Sequence, residues 1–142
     1  MESGKEKQIF VDIENTVRKI REGMNKIIKK YPVTFDQWLI LEEILNKQGI
    51  SQKIIASNTG KDEASVSRIV NKLRKLELVV SKKSLSNKKF LKLYLSPEGL
   101  EMSKELQQKI NTHFKHLFNN VHDREYLFLN EILIRLNKSA TA

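Results

Sequence analysis

Cysteine is absent from the 142 residues, which excludes disulfides, thiolate metal ligands and cysteine-based redox sensing. Proline occurs twice and glycine five times, too rarely for the many turns of a sandwich or barrel. No apolar run approaches the length of a membrane span, and residues 1–8 are polar and charged where a leader peptide would be apolar. Chemistry-bearing motifs are also missing. No glycine-rich phosphate loop follows a strand, no nucleophile elbow is visible, and no carboxylate pair sits beside a histidine, so neither an enzyme nor a cofactor is expected. What remains is a mostly helical chain, expected to be soluble and cytoplasmic, of a length suited to one domain.

Positive charge is plentiful and unevenly placed. Residues 50–95 hold eleven of the 26 Lys/Arg and three of the 17 acids, which leaves 15 bases against 14 acids everywhere else. A basic centre in an otherwise neutral protein is the electrostatic footprint that a polyanion such as DNA or RNA would meet. A solvated charged face is the plain alternative, so the fold of this segment decides its meaning.

Periodicity and capping signals supply that fold. Ile13, Val17, Ile20, Met24 and Ile27 form one stripe of a helix over 5–30, which Tyr31–Pro32 ends. Thr34 with Gln37 reads as a capping box for a helix over 35–47, with Trp38, Leu41, Ile44 and Leu45 inward. Ser51 caps a short helix over 52–58, and Thr59–Gly60 makes the turn after it. The next helix reaches Leu76, with Asp62 and Glu63 in its first turn. Val66, Ile69, Val70, Leu73 and Leu76 form its inner face, opposite Ser65, Arg68, Lys72 and Lys75. Residues 78–82 and 90–95 then alternate as two strands of a hairpin with a basic tip. Ser96–Pro97 opens a long helix to about Asn120, and Asp123 caps a last one to about Asn137.

Two short helices around a glycine turn, followed by a basic hairpin, follow the order of a winged helix-turn-helix. The second of those helices must be apolar behind and short-polar or cationic in front to enter a major groove. Ser65, Ser67 and Arg68 stand in its N-terminal half, the part that reaches base edges. Arg68 has the planar fork suited to guanine or to bidentate phosphate contact. Lys53, Lys72 and Lys75 suit phosphate.

Thr34–Leu45, Ser51–Ala56, Ala64–Leu76, the hairpin and Leu95-Ser-Pro-Glu-Gly99 together resemble the MarR family of bacterial transcriptional regulators. The most specific stretches are Ser65-Val-Ser-Arg-Ile-Val-Asn-Lys-Leu73 and the Leu-Ser-Pro-Glu-Gly run. The resemblance implies a homodimer on palindromic operator DNA. Residues 34–96 would be the winged helix-turn-helix, with a small β-hairpin wing. Residues 5–31 and 97–138 would be the N- and C-terminal dimerisation helices. It also implies DNA contacts by Asn71 and by wing residues Lys82, Lys88 and Lys89, and a repressor released by a small-molecule effector. The sequence departs from the family pattern at three places. Asn87, Lys88 and Lys89 replace Asp-Arg-Arg at the wing tip, Glu77 replaces a glycine after the recognition helix, and Ser81 replaces the arginine that opens the wing. Lysine lacks the arginine fork, so the wing is expected to hold backbone more than to read groove width.

Other residues carry weaker signals. Tyr31, Phe35 and Trp38 could line an effector pocket or be simple core. His113 and His116 share a helix face and could serve a metal-responsive regulator, but a tetrahedral site needs ligands that the spacing does not supply. Phe114, Phe118, Tyr126 and Phe128 mark a stripe that a partner helix would cover. A winged helix used for protein contact alone is the remaining alternative, and the cationic front of the fourth helix argues against it.

Overall fold

A computed structural model describes residues 4–84 and 91–141. Helix α1 (Lys5–Ile28) stops before Tyr31–Pro32, and helix α2 (Phe35–Asn46) starts on the expected capping box. Thr34 Oγ1 accepts from Gln37 N–H at 3.2 Å, and Gln37 Oε1 accepts from Thr34 N–H at 3.0 Å. Strand β1 (Ile50–Ser51), helix α3 (Gln52–Thr59), helix α4 (Glu63–Lys75), strands β2 (Val79–Lys83) and β3 (Leu91–Leu95), and helices α5 (Pro97–Leu117) and α6 (Asp123–Ala140) complete the order. Among the described residues no helix is long and apolar enough to cross a membrane.

The sheet is larger than the expected hairpin. Its antiparallel order is β1-β3-β2, with Ile50 opposite Leu93 and Val79 opposite Leu95. Strand β1 is two residues long, and its second residue also caps α3: Ser51 Oγ accepts from Ile54 N–H at 3.3 Å.

Two compact units divide the chain, Met1–Ile110 and Asn111–Ala142. In the first, Ile28, Ile40, Leu41, Ile44, Ile55, Val66, Val70, Leu73, Leu93 and Leu106 are buried. Burial along the expected apolar stripes and faces is uneven. Ile13 and Val17 are exposed, because only the last turns of α1 enter this core. Ile40 takes the deep position on α2, while Leu45 is half-buried. Leu76 is exposed and Leu78 buried, because α4 ends at Lys75 and the chain reverses before the apolar stripe can continue. In the second unit α6 has no buried residue. Its N-cap is His122, one residue before the expected Asp123, and Glu125 Oε1 accepts from His122 N–H at 3.0 Å.

Candidate nucleic-acid interface

The local chemistry of residues 51–62 sets the angle at which α4 is presented. Gly60 ends α3 at φ 70°, a left-handed conformation that costs glycine nothing sterically. Two residues later Asp62 caps α4, its Oδ1 accepting from Ser65 N–H at 2.7 Å. Val66, Val70 and Leu73 are completely buried on one side of α4, and helical spacing puts Arg68, Asn71, Lys72 and Lys75 on the other, all exposed. Ser65 and Ser67 flank that front as half-buried residues, and Lys53 is exposed on α3. The expected front of α4 is therefore assembled as one cationic surface.

Arg68 has a partner the sequence reading did not name. Its Nη2–H donates to Ser65 Oγ at 3.1 Å, and the Ser65 hydroxyl donates to Asp62 Oδ2 at 3.1 Å. The bonds from Ser65, and secondarily the charge of Arg68, hold the Asp62 carboxyl below its ordinary value of 3.8. Asp62 was expected inside the first turn of α4 and is instead its N-cap, and the extension of that cap through Ser65 to Arg68 depends on rotamers. Beside this chain lies a groove of about 250 Å³ lined by Asp36, Lys61, Ser65, Arg68, Ile69 and Lys72. Lys61 Nζ meets Asp36 Oδ1 at 2.8 Å and ties the α3–α4 turn to α2. The pair is partly solvated, so its contribution of about 0–1 kcal/mol orients the turn more than it stabilises the fold.

On the outer sheet face Lys82 stands directly opposite Lys92, a like-charge cross-strand pair that is intrinsically unfavourable. Lys82 Nζ lies 5.2 Å from the Tyr94 ring centroid, an interaction that partly offsets the repulsion. Lys88 and Lys89 lie outside the described residues.

A junction behind this surface accounts for the Leu-Ser-Pro-Glu-Gly run. Ser96 Oγ donates to Glu77 O at 2.7 Å and accepts from Gly99 N–H at 3.0 Å, while Ser96 N–H donates to Leu78 O at 3.0 Å. A Cβ on Gly99 would collide with the Leu78 carbonyl and lie 3.0 Å from its carbon. The glycine lets α5 dock against the chain leaving α4, so the run fixes the base of the β2–β3 pair to the end of α4.

The three aromatics expected near an effector pocket are only partly brought together. Phe35 and Trp38 rings are 5.6 Å apart, and the Arg21 guanidinium lies 4.5 Å from the Phe35 centroid. Phe35 lines a cavity of about 340 Å³ with Asn25, Ile28, Lys29, Val33, Thr34 and Asp36. Trp38 is buried, and its Nε1–H meets no acceptor among the described residues. Tyr31 is engaged elsewhere: its hydroxyl donates to Glu105 Oε1 at 2.9 Å, and Lys109 Nζ lies 5.1 Å from its ring centroid. The Tyr31 bond, with Lys109, holds the Glu105 carboxyl below its ordinary value of 4.5. In the second unit, His113 is half-buried and His116 exposed, and no metal-competent group of three or more His, Cys, Asp or Glu occurs among the described residues.

Helix α3, the Gly60 turn, the cationic α4 and the three-stranded sheet define a winged helix-turn-helix. Residues 31–89 match the model of the MarR family. That segment is a MarR-family winged helix-turn-helix, and the chain has the fold of MarR-family transcriptional regulators. The chain is similar to a solved MarR protein from Peptoclostridium difficile at 19% identity and TM-score 0.81, over 99% of this chain and 89% of that one. Staphylococcus aureus MepR, solved as a DNA complex, is 14% identical with TM-score 0.81, over 90% and 94% of the two chains. Staphylococcus aureus MarR, solved with salicylate and kanamycin, is 16% identical with TM-score 0.81, over 98% and 94%.

Proposed function

We propose that the protein is a cytoplasmic, homodimeric repressor that binds palindromic duplex DNA and is released by a small-molecule effector. The observation that carries this reading is the front of α4. Arg68, Asn71, Lys72 and Lys75 are exposed there, while Val66, Val70 and Leu73 anchor the opposite side in the core. Arg68 reads or clamps with its fork, and Ser65, Ser67 and Asn71 supply short polar contacts at base edges. Lys53, Lys72, Lys75 and Lys82, with Lys88 and Lys89, bind phosphates without reading sequence. The DNA complex of the similar MepR supports the same use of the same fold.

Residues 5–31 and 97–138 form the dimerisation part, leaving 34–96 for DNA. The argument is exposed apolar surface. Phe10 on α1 and Leu127, Phe128 and Ile134 on α6 are each more than 60% exposed, which a lone chain in water does not favour. Effector release requires a ligand that prefers the non-binding geometry, since equal affinity for both shifts nothing. Tyr31, Phe35 and Trp38 mark the region proposed for it, supported by the cavity beside Phe35 and the unpaired Trp38 N–H.

Selection from a random duplex pool, followed by salt titration of the winner, tests the proposal. A palindrome with half-sites about one helical turn apart is expected. About six to ten phosphate contacts per dimer give a log–log salt slope of roughly −5 to −9. No enriched duplex, or a slope near zero, refutes DNA binding.

A further inference from the structure

The helix that meets a polyanion in this proposal opens on an acid. A cap alone does not need the charge, because Asn and Ser cap as well as Asp. Asp62 uses both carboxylate oxygens, Oδ1 on Ser65 N–H at 2.7 Å and Oδ2 on the Ser65 hydroxyl at 3.1 Å. A serine hydroxyl has one proton to give. With that proton directed to Asp62, Ser65 Oγ accepts, and it accepts from Arg68 Nη2–H at 3.1 Å. The result is a polarised chain along the first two turns of α4. It uses one of the two Nη2 hydrogens and leaves a two-donor edge of the guanidinium, the other Nη2–H with Nη1 or with Nε, for a ligand.

We infer that Asp62 and Ser65 are positioning residues that hold Arg68 as a base reader, directed to the paired acceptors of a guanine edge rather than to phosphate. The inference rests on the DNA-binding proposal above and specifies how that surface discriminates. An unbraced arginine samples many rotamers and meets the nearest phosphate. A braced one delivers its fork at a fixed place, on which a bidentate base contact depends. The Asp62 carboxylate also occupies the helix N-terminus, otherwise a ready phosphate site, and repels backbone there. Specificity then comes from a repulsive element as well as an attractive one.

The test measures full-length parent and variants against the selected operator, single-base-pair variants of it and random duplex. Arg68→Ala identifies the base pair that Arg68 reads, where a bidentate contact gives about five- to 150-fold discrimination. Ser65→Ala cuts the chain, keeps the Asp62 cap and changes no charge. It is expected to lose most of the discrimination at that same pair. Asp62→Asn keeps a capping side chain and removes the acid. It is expected to lose the same discrimination while binding random duplex more tightly. In an Arg68→Ala background, Asp62→Asn is expected to change base preference no further.

The inference is overturned if Asp62→Asn keeps the parent's preference at the Arg68-dependent pair. It is equally overturned if both variants weaken all sequences alike while lowering the melting temperature, since that is the signature of a helix cap alone. A parent that binds no duplex overturns the DNA-binding proposal and this inference together.

Discussion

Glu77→Gly is expected to stabilise the protein, although it removes a side chain and adds none. Helix α4 ends in a reversal whose geometry is drawn by two bonds. Glu77 N–H donates to Arg74 O at 2.9 Å, and Leu78 N–H donates to Leu73 O at 3.0 Å. This is the Schellman arrangement, with Leu73 and Leu78 both buried, and its turning residue adopts the left-handed conformation. Here that residue is Glu77 at φ 61°, the one non-glycine with positive φ among the described residues. An L-residue with a Cβ costs about 1–2 kcal/mol there, and glycine nothing comparable. Glycine also gives the unfolded chain more freedom, worth about 0.4–1 kcal/mol in the opposite sense. Removing a negative side chain from the negative end of α4 adds a smaller gain. The net is about 1 kcal/mol in favour of Gly, or roughly 3–4 °C in melting temperature for a chain of this size. Thermal melts at one fixed protein concentration, with urea midpoints at unchanged m-value, measure it. Glu77→Ala separates the causes, because it removes the charge and keeps the Cβ. The expected order of stability is Gly, then Asn, then Ala. A Gly variant no more stable than the Ala variant refutes the argument from backbone strain.

Gly99→Ala is expected to cost about 3 kcal/mol or more, since its Cβ meets the Leu78 backbone rather than a yielding side chain. The urea midpoint reads this, and an unchanged midpoint rejects the close-approach account. Glu105 contributes stability that is fully present above pH 4.5 and is lost as pH falls through its lowered value. The melting-temperature gap between the parent and Glu105→Gln is therefore expected to be widest at neutral pH and to close below about pH 4.5, and a gap independent of pH contradicts the Tyr31 bond. Phe128→Glu, at an exposed apolar position of α6, is expected to shift sedimentation toward monomer at unchanged helix content by circular dichroism.

Features set within a single turn of chain were legible in the sequence. The Thr34–Gln37 box and the Ser51 cap each involve residues three apart and form as expected, while Asp62, expected inside the first turn of α4, is its N-cap. The front of α4 was legible for the same reason, because opposite faces follow from helical spacing alone. Pairings distant in sequence were not. Strand β1 is too short for any periodicity, and it exists because Ile50 and Ser51 find Leu93 and Lys92 some forty residues on. Lys61 could have met many acids, and its choice of Asp36 is a product of the fold. The continuation of the apolar stripe to Leu76 failed at a non-glycine turning residue, for which no local rule predicts a left-handed reversal.

Periodicity identified the apolar stripes without saying which of them the chain itself covers. Ile13 and Val17 recur at helical spacing as regularly as Val66 and Val70, yet the first pair is exposed and the second completely buried. Periodicity reports that a face is apolar, while burial depends on whether another element of the same chain reaches it. On the proposed reading, the exposed stripes of α1 and α6 are the surfaces a second copy covers, and the cations of α4 are the surface duplex DNA covers. The two surfaces differ in what holds them. Lys82 opposite Lys92 costs the free protein stability, and a polyanion bound there would relieve that cost. The apolar stripes cost solubility, and a second copy relieves that on association. The proposed dimer on duplex DNA would satisfy both at once, adding to the partial offset that the Tyr94 ring already gives the lysine pair.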